Sequence, residues 1–278
     1  MNEAHISSYL QGESTPWVWE GLRAALVIAH PGHELRVHHW LERTRPLVLV
    51  LTDGSGHSDR SRLASTTAVL ERTGATPGPI YGRLSDRALY RAILANDVDL
   101  FSDLADEIAQ VLEEAGVSYV AGDAVEGFNP GHDLCRLLLN GALLRIERRA
   151  GGSPQNFELT LEAPPCERLS ENGSEAILLE LDDGALQRKL ASARSYPELA
   201  GEVERTLALH GQEAFRRECL LPVRYGLDIA HRFEHPPYYE RYGEQQVAAG
   251  IYREVVRFRD HLAPLAAGLG RHAVRAGA

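Results

Sequence analysis

The stretch Ala25-Leu26-Val27-Ile28-Ala29-His30-Pro31-Gly32-His33-Glu34 decides how this chain is read. An apolar run stops abruptly at a polar His-Pro-Gly-His-Glu knot, and an amphipathic segment follows. A continuous apolar run of this kind is what a central parallel strand shows when both of its faces are buried. In an open α/β sheet, ligands bind beyond the carboxyl ends of such strands. Two histidines three apart across a Pro-Gly turn can converge on one ion. His30 and His33 are therefore the first candidates for holding a metal.

Working outward, two more strands end in the same way. Pro46 opens Leu47-Val-Leu-Val-Leu-Thr52, which runs into Asp53-Gly-Ser-Gly-His57. Val117-Ser-Tyr-Val-Ala121 runs into Gly122-Asp123-Ala-Val-Glu126-Gly-Phe-Asn129-Pro-Gly-His132-Asp133. Helical patterns separate them, at residues 34–42, 59–73 and about 86–115, and a strongly apolar helix follows at 134–146. In the helical pattern ending at Glu113, Leu100, Leu104, Ile108, Val111 and Leu112 share one face. Thr76-Pro-Gly-Pro79 cannot be helix interior. Strands alternating with helices predict βαβ units and a parallel sheet with right-handed crossovers.

After Ala150-Gly-Gly-Ser-Pro154 the character changes. Phe157–Leu161 and Ile177–Leu181 alternate in polarity and read as a hairpin or two edge strands. Helices are expected at 183–194, 197–209 with Pro197 at its start, and 240–262; the tail 268–278 reads as frayed. Pro16-Trp17-Val18-Trp19-Glu20, in a leader over 1–23, suggests packing over the first strand or across a subunit contact. The expected fold is α/β, a Rossmann-like doubly wound, mostly parallel sheet with a C-terminal hairpin and helical extension. Residues 1–150 form the core that carries the strand-end loops. Residues 151–278 pack on it as one compact unit.

The net charge of −10 argues against a nucleic-acid partner. No apolar run reaches membrane-spanning length, and residues 1–8 lack the basic and apolar regions of a signal peptide. A cytoplasmic location is the resulting expectation. Cys135, Cys166 and Cys219 are widely spaced with no CxxC pair, so reduced, mostly buried thiols are expected.

The chemistry lies in the convergence of the three loops. A catalytic zinc site takes three protein ligands and keeps a position open for water; His30, His33 and His132 supply three neutral nitrogens. Hydrolysis also needs a carboxylate to take up a proton, and Asp53, Glu34, Asp123 and Glu126 are candidates whose order the sequence leaves open. Asn129 and Arg136 are candidates for meeting the substrate, Arg136 equally for a salt bridge. Plainer readings apply to the neighbours. Asp133 reads as a helix cap, and Asp53-Gly-Ser-Gly can be a turn alone. His38, His39 and His57 read as packing or solvent histidines, and Tyr238, Tyr239, Tyr242 and Tyr252 as a packing stripe.

Ala29-His30-Pro31-Gly32-His33-Glu34 resembles the Ala-His-Pro-Asp-Asp-Glu signature of the PIG-L/LmbE-like deacetylases. Leu51-Thr52-Asp53-Gly54 also resembles that family. Asn129-Pro130-Gly131-His132-Asp133 is similar to its His-Pro-Asp-His segment, and Lys189-Leu-Ala-Ser-Ala-Arg194 to its late helix. The resemblance spans roughly 22–195. It implies a Rossmann-like sheet, one Zn2+ and removal of an N-acetyl group, often from an amino sugar. By position, His30 matches the first metal histidine, His132 the last, and His33 stands where the family has a ligating Asp. Gly32 departs from the pattern, because the family carries its base there. The expected partner is a small N-acetylated sugar or glycoconjugate, with a homo-oligomer open. The alternative from another class is a sugar or nucleotide-sugar binding protein or transferase on the same fold. Against it, Asp53-Gly-Ser-Gly lacks the glycine pattern of a phosphate loop.

Overall fold

The first strand, β1 (Ala24–Ile28), is buried along its whole length, because both of its neighbours and both of its faces are covered. β2 (Leu47–Thr52) pairs with it in parallel on one side and β4 (Tyr119–Asp123) on the other. The chain steps outward from β1 to β2 and β3 (Thr76–Leu84), then returns to lay β4 against the free side of β1. The computed structural model describes residues 19, 21–56, 58–162, 166, 175–229 and 232–275. Among these, the sheet has seven strands in the order β3-β2-β1-β4-β5-β7-β6, with β5 at Gln155–Leu159, β6 at Ile177–Glu180 and β7 at Arg217–Pro222. The direction of winding reverses between β1 and β4, and that reversal opens a crevice at their carboxyl ends.

Alternation along the strands splits the core in two. Ala25, Val27 and Ala29 point with Leu49, Leu51 and Val120 toward one face. There α4 (Val98–Glu114), α5 (Pro130–Ala150) and α9 (Ala263–Arg275) cover them. Leu26, Ile28, Val48, Val50, Tyr119 and Ala121 point the other way. That face is covered by α1 (His38–Thr44), α2 (Leu63–Thr73) and α6 (Asp183–Arg194). Helices on both faces of a mostly parallel sheet are the doubly wound arrangement expected from the strand pattern. Trp19 packs over the sheet, 5.0 Å from Tyr119 and 5.2 Å from Phe157 between ring centroids; Trp17 lies outside the described residues.

Thr76-Pro-Gly-Pro79 lies outside any helix, as expected, and three other expectations are corrected. Thr76-Pro-Gly-Pro79 opens β3, which among the described residues pairs with β2 alone. Proline costs an edge strand little, since no neighbour needs its missing N–H. The segment 86–115 is two helices, α3 (Asp86–Leu94) and α4, parted at Asn96 with φ 50°.

β5 (Gln155–Leu159) and β6 (Ile177–Glu180) do not pair as a hairpin. β7 (Arg217–Pro222) lies between them, antiparallel to both. These strands extend the same sheet, with β5 parallel to β4. Finally, 240–262 is not one helix. α8 (Tyr238–Ala248) stops at Gly250 with φ 72°, and the tail re-forms as α9 with Leu265, Leu269 and Ala273 buried. Pro197 does begin a helical turn, Pro197–Leu199, which leads into α7 (Ala200–His210).

Candidate metal centre

The crevice between the ends of β1 and β4 gathers the polar loops. The Ala29 N–H donates to Asp123 Oδ2 at 2.7 Å, which ties the end of β1 to the last residue of β4. Thr52, the last residue of β2, donates its N–H to the Ala29 carbonyl at 2.9 Å. Beyond Ala29 the chain turns at Pro31-Gly32, with Gly32 at φ 109°, a conformation that strongly favours glycine. A Cβ there would also lie 2.5 Å from Leu199 Cδ1. The Gly32 N–H donates to Glu34 Oε2 at 2.7 Å, so Glu34 closes the turn on itself.

His132 arrives on a helix. Asn129 caps α5, its Oδ1 accepting from the Gly131 N–H at 2.8 Å, and Pro130 opens the first turn. Asn129 Oδ1 also accepts from the Tyr90 hydroxyl at 3.1 Å. Asp133 is not the cap. Its Oδ1 accepts from the N–H groups of Glu126 and Gly127 at 3.0 and 3.2 Å and shapes the loop before the helix. Burial pushes the Asp133 carboxyl up to about 7.

The three imidazoles meet edge to face. Ring centroids lie 5.4 Å apart for His30 and His33, 5.0 Å for His30 and His132, and 4.5 Å for His33 and His132. Each of the first two turns Nδ1 toward a carboxylate. His33 Nδ1 is 3.0 Å from both oxygens of Asp123. His30 Nδ1 is 2.7 Å from Thr52 Oγ1 and 3.0 Å from Asp86 Oδ1.

A carboxylate only accepts, so Nδ1 of His33 carries the proton and Nε2 of the neutral ring keeps a lone pair. His30 Nε2 is buried with no hydrogen-bond partner. Gly131 leaves room before it: a Cβ there would be 3.1 Å from that nitrogen.

The electrostatics separate the rings. Burial works against a charge on His33, but Asp123 and then Glu34 outweigh it and raise its pKa. Burial, reinforced by His33 and His30, holds His132 well below the ordinary value. Asp86 is held well below the usual carboxylate range. Burial opposes this, and His30, the Thr52 hydroxyl and the Gly56 N–H overcome it.

The spacing of the three rings is close to that of a three-histidine zinc site. Three imidazoles each bound through one nitrogen at roughly 2.0–2.1 Å to a tetrahedral ion have centroids about 5 Å apart. The observed spacings of 4.5–5.4 Å bracket that figure. Among the described residues, no group of three or more His, Cys, Asp or Glu side chains is arranged so that it could hold a metal ion as it stands. Asp123 leaves Nε2 of His33 to bind, and Nε2 of His30 is buried without a partner.

The other expected residues fall into two groups. Asp123 belongs to the centre, but as the partner of His33 and Ala29. Glu34 is fully buried beside it and keeps Oε1 without a partner. Asp53 turns Oδ1 to the Ser55 N–H at 3.0 Å and closes the loop after β2. Glu126 accepts from the Leu161 and Glu162 N–H groups at 2.7 and 3.2 Å and pins the loop after β5.

Arg136 corrects the expectation of a substrate-facing cation. It is 0% exposed. Its guanidinium is spent on the Asp123 carbonyl, Asn156 Oδ1 and the Phe157 carbonyl at 2.6–2.9 Å. It braces β4 against β5.

His38 and His39 pack, with His38 Nε2 2.8 Å from Ser192 Oγ and His39 Nδ1 2.9 Å from Glu42. His57 lies outside the described residues. Cys135 and Cys219 are buried, Cys166 is half-buried, and none is in a disulfide.

Asp86 is the residue that sequence reasoning missed. Its signal was present: Ser85 caps α3 just beyond a strand, the same junction that bears His30. The prolines of β3 hid that strand. A separate cleft of about 550 Å3, lined by Trp19, Arg23, Arg43 and Arg45, opens at the opposite ends of β1 and β2, and the histidines do not line it.

No protein-family model matches the chain, and no curated protein matches it. Among solved structures it is similar to the deacetylase triple mutant (Orf2*T) of the teicoplanin biosynthetic pathway. The identity is 12% and the TM-score 0.42, over 72% of this chain and 97% of that one. It is also similar to the zinc-inhibited form of teicoplanin deacetylase Orf2, at 13% identity and TM-score 0.43, over 72% of this chain and 99% of that one. A likeness this remote says nothing of activity, and the functional reading rests on the crevice itself.

Proposed function

We propose that the protein is a zinc-dependent hydrolase of the PIG-L/LmbE type that removes an N-acetyl group from an amino sugar or related small metabolite. The observation that carries this reading is the buried, unpartnered Nε2 of His30, on a ring whose centroid lies 5.0–5.4 Å from those of two further imidazoles. A buried acceptor without a donor costs free energy unless something electrophilic fills the space. His30, His33 and His132 would hold the ion. Bound zinc supplies Lewis acidity and lowers the pKa of its water toward neutrality.

The chain's own part is to hold those rings and carry a proton. Asp123 keeps His33 in the Nδ1–H form. Burial keeps His132 neutral and available as a ligand. Of the four candidate carboxylates, Asp123 and Glu126 have both oxygens engaged, and Asp53 closes a turn. Glu34 retains a free buried oxygen, and burial raises its carboxyl pKa. A carboxyl shifted upward is suited to accepting and returning a proton near neutral pH, so Glu34 is ranked first for that role. Asn129, half-buried beside Gly131 and His30, would offer its amide nitrogen to a substrate. Among the described residues, no helix is long and apolar enough to cross a membrane.

One observation favours the alternative, a sugar or nucleotide-sugar binding protein or transferase without deacetylation. The place where the resembled family carries its base is held by Gly32 and filled by Leu199. Metal analysis of wild type, His30→Ala and His132→Ala, together with acetate release from N-acetylated amino sugars, tests the reading. The expected result is about one zinc per chain, lost in both variants, and acetate release only by wild type. Full zinc in both variants would remove the ligand set. Zinc binding with saturable nucleotide-sugar binding and no acetate would favour the alternative.

A further inference from the structure

The second nitrogen of His30 points away from the crevice toward α3, where no site residue was expected. Asp86 is the first residue of that helix. Its Oδ1 lies 3.0 Å from His30 Nδ1, yet has no in-line hydrogen-bond donor. The N–H axis of the ring is directed at Thr52 Oγ1, 2.7 Å away. The Thr52 hydroxyl in turn sits 3.1 Å from the Ala29 carbonyl.

Asp86 is itself clamped. Its Oδ2 accepts from the Gly56 N–H at 2.6 Å, and the helix that carries it is capped by Ser85, whose Oγ accepts from the Ala88 N–H at 3.2 Å. Three strand-end loops, those after β1, β2 and β3, are therefore joined at this carboxylate.

We infer that Asp86 is the positioning residue of His30, a buried carboxylate that holds the ring in its Nδ1–H tautomer and so presents the Nε2 lone pair to the crevice. The argument is electrostatic. With Nδ1 bare, a ring lone pair would face a carboxylate oxygen at 3.0 Å, and both are acceptors. With Nδ1 protonated, the same separation is attractive, and Asp86 Oδ1 gains the partial positive charge it otherwise lacks. Thr52 supports the same choice, because its hydroxyl donates to the Ala29 carbonyl and so accepts from Nδ1–H, but it carries no charge. Asp86 thus does for His30 what Asp123 does for His33. Histidines that bind metals have such partners almost always, and removing the partner typically costs about 10- to 100-fold in metal affinity.

The inference concerns the tautomer first and rests on the zinc reading only for its consequence. The experiment has two arms. In the metal-free wild type, nitrogen-15 NMR of the imidazoles reads the tautomer of His30 directly and needs no variant to fold. The expected signal is protonated Nδ1 and bare Nε2; protonated Nε2 overturns the inference. In the second arm, zinc affinity is measured by competition with a chromophoric chelator for wild type, Asp86→Asn, Asp86→Glu, Thr52→Val and the exposed control Asp59→Asn.

Asp86→Asn is expected to lose about 10- to 100-fold and to show a mixed His30 tautomer. Asp86→Glu should recover part of the loss, Thr52→Val should lose less than Asp86→Asn, and Asp59→Asn should stay near wild type. Unchanged affinity and tautomer in Asp86→Asn, or a full loss in Thr52→Val alone, overturns it. Absence of zinc binding by wild type would defeat the proposed function, while the tautomer arm would still decide the role of Asp86.

Discussion

The two halves of the candidate centre hold their imidazoles by different means. His30 and His33 sit on an irregular turn and are steered through their second nitrogens, by Asp86 with Thr52 and by Asp123. His132 sits in the first turn of α5, where Asn129, Pro130 and twenty-one residues of helix hold the backbone. A loop leaves a ring free to rotate, so a carboxylate must fix it. A capped helix fixes the Cα–Cβ direction and leaves less to correct. The difference predicts that the turn depends on side-chain chemistry and the helix on its cap.

The comparison is broken most severely at the ligands. His30→Ala and His132→Ala should each lower zinc affinity by far more than the variants of the supporting carboxylates, which a chelator competition will read. Equal losses for a ligand and its carboxylate partner would show that the partner binds the ion itself.

Gly32→Asp comes next. It restores the acid of the resembled signature, but places an L side chain at φ 109° and a Cβ 2.5 Å from Leu199. Strain of about 1–3 kcal/mol and overpacking of about 1–3 kcal/mol should appear as a lower urea midpoint. The double variant with Leu199→Ala should recover the overpacking share alone. Unaltered stability in the single variant would mean the turn is looser than the structure depicts.

Acid should loosen the turn side before the helix side. His38 follows the turn directly. Burial lowers its pKa from 6.5 to about 4, with Glu42 opposing. The folded state then binds fewer protons than the unfolded state between those values. The stability contribution of neutral His38 is present above pH 6.5 and is lost as pH falls toward 4. The shift corresponds to an upper bound of about 3 kcal/mol. Hydrogen exchange at pH 4.5 should show early opening at 33–44, ahead of α5, and His38→Gln should flatten that dependence. The smallest effect belongs to the cap: Asn129→Ala should cost about 1 kcal/mol in thermal unfolding and weaken zinc less than Asp86→Asn.

Much of this was legible in the residues. Apolar runs ending in polar knots located β1, β2 and β4. Parallel pairing then put His30, His33, Asp123 and His132 on one edge of the sheet, although they span a hundred residues. What escaped reading depended on long-range contact. Asp86 looks like any acid in a helix's first turn, where it favours the helix dipole. Arg136 looks like a substrate cation one turn from His132, but is buried as a brace. β7 inserts between β5 and β6 from a stretch with no marked pattern.

The sequence by itself determined the doubly wound half of the fold and the three histidines, because strand period and loop polarity are local properties. Only the tertiary structure decided which carboxylates steer them, and that Leu199 fills the space at Gly32. Those pairs lie 56, 90 and 167 positions apart, and nothing local encodes which side chains meet when the sheet closes.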